Sequence, residues 1–197
     1  MRIAGLVIAG GAGTRMGGET PKPLIEIGGR SCLDRALGVL GTGCDILLVG
    51  ASDPAFARPG VTLVPDRRPE RLGPLAAIEA AHRHLEGTGA THLVTVPGDT
   101  PFLPHALVRR LTEGEPGVAR VARFGDRLHP TVALWPLERL SVLESRLDDP
   151  ASRRSLMALL DQIGFEPVDF PPSPDAPDSD PFFNLNTPED LAAARGL

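Results

Sequence analysis

The sequence predicts an α/β protein in three layers: a mostly parallel sheet flanked by helices on both faces, in a Rossmann-like arrangement. Three observations carry that expectation. Short apolar runs alternate with helix-period stretches through the first half of the chain, the pattern of repeated strand–helix–strand units. The runs are continuously apolar, as strands covered on both faces must be. Glycine or Pro-Gly follows several of them, where such sheets turn into loops. The chain has 197 residues, enough for one sizeable core. It contains no repeat and no clear boundary, so residues 1–197 are expected to form a single domain.

The elements follow in order. Ile3 to Ala9 is a short apolar run ended by glycines, hence a buried strand. Ser31 to Leu40 is a helix, because Leu33, Ala36, Leu37 and Leu40 share one face. Asp45 to Val49 and Val61 to Val64 are two further strands. Leu75, Ile78, Ala81 and Leu85 mark a second helix, entered through Gly73-Pro74. His92 to Val96 is a fourth strand, stopped by Pro97-Gly98, and Pro104 to Leu111 a third helix. In the second half, Val118 to Phe124 and Thr131 to Trp135 read as a strand pair across Gly125-Asp126. Leu140, Leu143 and Leu147 mark one helix. Leu156 to Ile163 marks another, capped by Ser152 or Ala151, and Glu166 to Phe170 a last strand. Pro171 to Pro181 is rich in Pro, Ser and Asp and reads as a mobile loop. Thr187-Pro188-Glu189-Asp190 has a threonine N-cap, a proline at N1 and acids in the first turn, a strong helix start.

Composition narrows the function classes. A net charge of −5 gives no general attraction to nucleic acid or anionic membrane, so phosphate binding must come from a local site. The Ile3 to Ala9 run is far shorter than the roughly 20 residues of a membrane helix, and the loop chemistry after it argues against a signal peptide. The two cysteines, Cys32 and Cys44, match no zinc spacing and suggest no disulfide scaffold. A reducing cytoplasm is the expected location. Of the 20 basic residues Lys22 is the one lysine, and it falls just after a glycine-rich loop. A compact ammonium on a flexible stem suits a triphosphate.

That loop reads Ala9-Gly10-Gly11-Ala12-Gly13-Thr14-Arg15-Met16-Gly17-Gly18. Glycines after a first strand let backbone N–H groups approach phosphate oxygens, and Arg15 and Lys22 add positive charge. It is no dinucleotide fingerprint, because Met16 stands where the third glycine belongs, and no P-loop, because no Gly-Lys-Ser/Thr occurs. Asp99, in Pro97-Gly98-Asp99-Thr100-Pro101 after the fourth strand, lies where open α/β sheets bind ligands. Its carboxylate suits Mg²⁺; an Asx-turn before Pro101 is the competing role. Asp66 suits either a guanine or ribose contact or a solvated turn beside Arg67 and Arg68, and spacing favours neither. The five histidines form no metal set. Those at 82 and 84 face different ways on their helix; His129 precedes a strand where it points to the cleft or serves structure.

Together these motifs resemble the molybdenum cofactor guanylyltransferase family over nearly the whole chain. The resemblance rests on Ile8-Ala9-Gly10-Gly11 with Arg15-Met16-Gly17-Gly18, Gly73-Pro74-Leu75-Ala76, and Asp99-Thr100-Pro101-Phe102-Leu103-Pro104. It continues through His129-Pro130-Thr131-Val132-Ala133-Leu134-Trp135, Arg153-Arg154, and Asn184-Leu185-Asn186-Thr187-Pro188-Glu189-Asp190-Leu191. It implies the nucleotide-diphospho-sugar transferase fold, with a nucleotide-binding N-terminal half and an acceptor-binding C-terminal half. It implies a GTP site at Ile8, Ala9, Gly10, Gly11, Lys22, Asp66, Gly73 and Asp99, with Mg²⁺ as cofactor on Asp99. The acceptor side falls near His129, Arg154, Asn184 and Asn186. The implied substrates are GTP and molybdopterin, the implied product carries GMP on the molybdopterin phosphate, and pyrophosphate leaves. Partner proteins of molybdenum insertion or molybdoenzymes would follow; nucleic acid and membrane are not expected partners.

The chain departs from the family pattern at two places. Gly18 is followed by Glu19-Thr20-Pro21-Lys22, one residue longer than usual, and Pro21-Lys22 resembles the cytidylyltransferases of isoprenoid synthesis. After the second strand stands Gly50-Ala51-Ser52, where the family often has asparagine. Both bear on base selection rather than reaction type. The expected mechanism is in-line attack by the acceptor phosphate on the α-phosphorus, with Arg15, Lys22 and Asp99 as the catalytic set. The rivals are a cytidylyltransferase, a non-catalytic nucleotide-binding module and a sugar-phosphate nucleotidyltransferase.

Overall fold

The structure, a computed structural model, describes residues 1–10, 20–68 and 73–196. The elements run β1 (Ile3–Ile8), β2 (Glu26–Ile27), β3 (Arg30–Ser31), α1 (Cys32–Leu40), β4 (Ile46–Gly50), β5 (Val61–Leu63) and α2 (Pro74–His84). They continue with β6 (His92–Pro97), α3 (Leu107–Thr112), β7 (Ala119–Phe124), β8 (Arg127–Pro136), α4 (Leu143–Asp148), α5 (Leu156–Ile163), β9 (Phe165–Asp169) and α6 (Pro188–Arg195). One seven-stranded sheet runs in the order β5-β4-β1-β6-β8-β7-β9. β1 is parallel to β4 and β6, β4 to β5, and β7 to β9; β8 is antiparallel to both neighbours. The expected mostly parallel, three-layer α/β architecture is the one found.

Alternation along the buried strands assigns side chains to the two faces. Ala4, Leu6 and Ile8 of β1 join the core under α2, α4 and α5, with Leu75, Ile78, Leu143 and Leu159. Ile3 and Val7 point the other way, into the core with Leu33 and Leu40 of α1 and Leu107 and Leu111 of α3. Trp135 is fully buried, and its indole N–H donates to Thr95 Oγ at 2.9 Å, which satisfies a polar group that would otherwise be costly there.

Several boundaries differ from the sequence reading. The helix expected from Pro104 begins at Leu107, after turns that use up the preceding residues. Ser155, not Ser152 or Ala151, caps α5, its side chain accepting from Ala158 N. The β2–β3 hairpin was not foreseen; it turns through Gly28 and Gly29, both at positive φ. The Pro171 to Pro181 segment, expected to be a mobile loop, folds on itself: Ser173 N donates to Ser179 O at 2.9 Å, and Ala176 is buried. Thr187 caps α6 as expected, and Asp190 completes a reciprocal capping box.

Strand order places the site. From β1 the chain steps outward through β4 to β5, then α2 carries it back to β6 on the other side of β1. The connections therefore diverge between β1 and β6, which opens a crevice at their carboxyl ends. Gly98 N donates to Ile8 O at 3.0 Å, holding the two strand ends side by side.

Candidate active site

A cavity of about 330 Å³ opens at this crevice, lined by Ile8, Ala9, Gly10, Lys22, Pro23, Pro74, Pro97, Asp99, Thr131, Asn184 and Asn186. The sequence-predicted residues Ile8, Ala9, Gly10, Lys22, Asp99, Asn184 and Asn186 are thus brought together from both halves of the chain. Gly11 and Arg15 lie outside the described residues.

Lys22 reaches the cavity through a rigid turn. Pro21-Lys22-Pro23 opens a short 3₁₀ turn over Lys22–Leu24, whose proline fixes φ and requires no N–H partner. Pro23 is buried against Gly98, where a Cβ would stand 3.0 Å from Pro23 Cγ. Glycine at 98 therefore permits the contact that sets Lys22 beside Asp99. Lys22 Nζ lies 3.7 Å from Asp99 Oδ2 and donates to Asn186 Oδ1 at 3.0 Å. Desolvation pushes the Asp99 carboxyl above the usual carboxylate range, and the Lys22 ammonium offsets part of that. An incompletely compensated carboxylate in a cleft marks a candidate functional group.

Gly73 precedes α2 at φ 64°, ψ −147°, a region essentially reserved for glycine. This conformation aims the first turn of α2 at the cavity, where Pro74 forms part of the lining. Pro74 at N1 sacrifices only an N–H that has no intrahelical partner. The partial positive charge of the helix end favours an anion there.

The C-terminal segment closes the other side. Leu185 N donates to Asp99 O at 3.0 Å, and the Leu185 side chain is fully buried with Ile25, Ile27, Cys32 and Ala194. That burial is worth roughly 1.5–3 kcal/mol and pins the asparagines on either side. Thr131 arrives because β8 runs antiparallel to β6, so its early residues lie at the carboxyl end of β6. The β7–β8 register shifts there: Val121 faces Ala133, and Ala122 faces His129. Such a bulge re-aims side chains near active sites.

Other expected residues lie apart from this lining. Asp66 is exposed just beyond β5, on the same carboxyl edge but two strands from β1. Partial desolvation, then the nearby Glu79 carboxylate, raise its pKa. Arg68 pairs with the buried Glu79 of α2 at 2.8 Å and with Asp148 of α4 at 2.6 Å, fixing the chain two residues after Asp66. His129 is buried, packed against Phe182 with ring centroids 4.5 Å apart and planes tilted by 42°, and its Nε2 is unpartnered among the described residues. Burial lowers its pKa, so the imidazole is neutral near pH 7. Arg154 is exposed before α5 and is not in the lining.

Sequence reasoning overlooked Thr131, Pro23 and the hydroxyl of Thr100. Each stands within two positions of a residue that was singled out, but only the fold shows that Thr131 and Pro23 line the cavity and that Thr100 bonds to Asn184. Among the described residues no group of three or more His, Cys, Asp or Glu could hold a metal, and no helix is long and apolar enough to cross a membrane.

A lysine, a desolvated carboxylate and a helix N-terminus meet at the switch point of this sheet, a setting suited to a phosphorylated ligand. The chain belongs to the MobA-like NTP transferase domain family, whose model matches residues 5–163. It is 41% identical over 201 residues to the molybdenum cofactor guanylyltransferase of Mesorhizobium japonicum, covering 99% of this chain and 95% of that one. Its fold matches the molybdopterin-guanine dinucleotide biosynthesis protein A of Archaeoglobus fulgidus at TM-score 0.68 and 24% identity, over 100% and 97% of the two chains. It also matches a Mycobacterium tuberculosis protein solved in complex with manganese, at TM-score 0.65 and 20% identity, over 100% and 99%. The chain is an enzyme of nucleotidyl transfer.

Proposed function

We propose that the protein transfers GMP from GTP to the phosphate of molybdopterin, releasing pyrophosphate and forming the guanine dinucleotide form of molybdenum cofactor. One observation carries this reading. Lys22, Asp99 and Asn186 converge at the switch point of a chain that matches a molybdenum cofactor guanylyltransferase along nearly its whole length.

In this reading the N-terminal half holds the nucleotide and the C-terminal half the acceptor. An acceptor phosphate oxygen bonds to the α-phosphorus of GTP as the bond from that phosphorus to the bridging oxygen of the β-phosphate breaks. The attacking group is already anionic, so no general base is needed. The work is positioning and charge stabilisation. Lys22 and the first turn of α2 hold triphosphate oxygens, and Lys22 steadies the pyrophosphate as charge develops on it. Asp66, with its backbone anchored by Arg68, is the candidate contact to base or ribose. Asn184 and Asn186 orient the acceptor.

The residues fit Mg²⁺. Asp99 is a desolvated carboxylate whose charge Lys22, 3.7 Å away, offsets only in part, and the described residues build no protein cage for a metal. An ion held by one carboxylate and completed by substrate phosphates and water is the usual arrangement for Mg²⁺. Bound there, it would neutralise charge on the phosphates during transfer. The manganese complex of the M. tuberculosis neighbour supports a divalent ion.

Pro21-Lys22 favours one second reading, cytidylyl transfer. Calorimetric titration with GTP, CTP, ATP and UTP, each with and without Mg²⁺, separates the two. Mg²⁺-dependent preference for GTP supports guanylyl transfer. Preference for CTP favours the second reading, and no binding at millimolar nucleotide overturns both.

A further inference from the structure

The segment carrying Asn184 and Asn186 is joined to the Asp99-Thr100 loop at two points. Leu185 N donates to Asp99 O at 3.0 Å, and the Thr100 hydroxyl donates to Asn184 Oδ1. Thr100 itself is 1% exposed, so its hydroxyl cannot turn to solvent for a partner and an unmade bond there is costly. Two positions on, Asn186 Oδ1 accepts from Lys22 Nζ at 3.0 Å. An ammonium can only donate, which fixes the orientation of that amide. Leu185 is sunk in the apolar cluster beneath, so the asparagines on either side of it both meet the cavity.

In both asparagines, then, the carbonyl oxygen is engaged by a protein donor. Among the described residues no acceptor meets either amide nitrogen. Two N–H₂ groups are left as the free ends of the pair, and a cavity wall with paired donors suits an anionic oxygen ligand.

We infer that Thr100 is a positioning residue for the acceptor subsite. Holding the Asn184 carbonyl, it turns the Asn184 amide nitrogen into the cavity, so that Asn184 and Asn186 together present donors to the phosphate oxygens of the acceptor. The inference rests on the reading of this side of the cavity as the acceptor side. The role is distinct from that of Asp99 next door: Thr100 acts through Asn184 and touches neither the nucleotide nor the reacting atoms.

Steady-state kinetics with GTP and molybdopterin varied separately test it, on the wild type, Thr100→Val, Thr100→Ser and Asn184→Ala, and on the double variant. Thr100→Val keeps the shape and removes the donor. Losing the set of one amide should raise the acceptor KM roughly tenfold, the size of one hydrogen bond to a charged group, with the GTP KM within about twofold. Thr100→Ser restores the wild-type value. In the Asn184→Ala background Thr100→Val adds nothing, because the two act as one unit. Should Thr100→Val not fold, Thr100→Ala carries the same test: the hydroxyl donor is removed without an added branch, and the acceptor KM rises by as much. An unchanged acceptor KM in either variant, additive effects in the double variant, or an equal rise in the GTP KM overturns the inference. A wild-type protein that transfers no guanylyl group overturns the functional reading and the inference together. One that transfers it while Thr100→Val behaves identically overturns the inference alone.

Discussion

Lys22 Nζ stands 3.7 Å from Asp99 Oδ2 and 3.0 Å from Asn186 Oδ1, so a single ammonium joins the end of the first loop, the end of β6 and the C-terminal segment. These groups lie as far as 164 residues apart in sequence. The side chain that offsets part of the carboxylate's desolvation also holds Asn186 in one wall of the cavity. In the proposed reading, nucleotide and acceptor meet across this one lysine.

The two members of the pair are expected to fail differently. Asp99→Asn keeps the shape and removes the charge. Because burial disfavours that charge, the variant should melt at the same temperature as the wild type or higher. Its turnover should fall on the order of 10²–10³-fold, as when one electrostatic stabiliser of a transition state is removed. Thermal melts paired with pyrophosphate release read both quantities. Near-normal turnover contradicts the role given to Asp99.

Lys22→Met removes a donor that charge makes strong. A hydrogen bond to a charged group is worth about 1.5–3 kcal/mol, so GTP affinity should weaken roughly ten- to hundredfold. Lys22→Arg should recover only part of it, because the planar fork cannot occupy the compact position held between Pro21 and Pro23. Calorimetry checks both, and a Lys22→Met protein with wild-type affinity contradicts the assignment.

The Arg68–Glu79 pair predicts a stability effect away from the cavity. Glu79 is 5% exposed and is held by Arg68 Nε and Nη2 together. Arg68→Ala leaves that carboxylate buried and unpaired, at a cost of about 3 kcal/mol. Arg68→Met with Glu79→Leu should recover most of the loss. Urea unfolding of the single and double variants measures this, and equal destabilisation in both is the contrary result.

The buried imidazole predicts acid sensitivity. His129 has its pKa lowered, by burial first, so the folded state binds fewer protons than the unfolded one just below about pH 6.5. Stability is therefore full above that value and declines as pH falls through the window beneath it. His82 is shifted the same way, again mainly by burial, and adds to the decline. Unfolding at about pH 7.5 and about pH 5.5 should show a smaller loss in His129→Leu than in the wild type; an identical loss contradicts the burial argument.

Particular residues show what the sequence made legible. The apolar runs of β1 and β6 and the breaks after them announced strands buried on both faces, and the placement of Asp99 followed from the sheet rule alone. Asn184 and Asn186 came from resemblance, since nothing local marks an asparagine as facing a cavity. The β2–β3 hairpin escaped because two-residue strands carry no periodicity, although Gly28-Gly29 signals its turn. Ser155 was passed over as cap because three candidate residues stand within five positions of each other. The bulge that re-aims β8, and the reach of Arg68 to Asp148, 80 residues away, are products of tertiary packing that no local pattern encodes. Arg154, implied by resemblance for the acceptor side, lies exposed outside the cavity lining.

The most direct test is pyrophosphate release by the wild-type protein with Mg²⁺, molybdopterin present or absent, and each of the four nucleoside triphosphates in turn. The account predicts release that requires molybdopterin and is fastest with GTP, with a product carrying one GMP per molybdopterin. Release equally fast with CTP, or none with any triphosphate in the presence of molybdopterin, would contradict it.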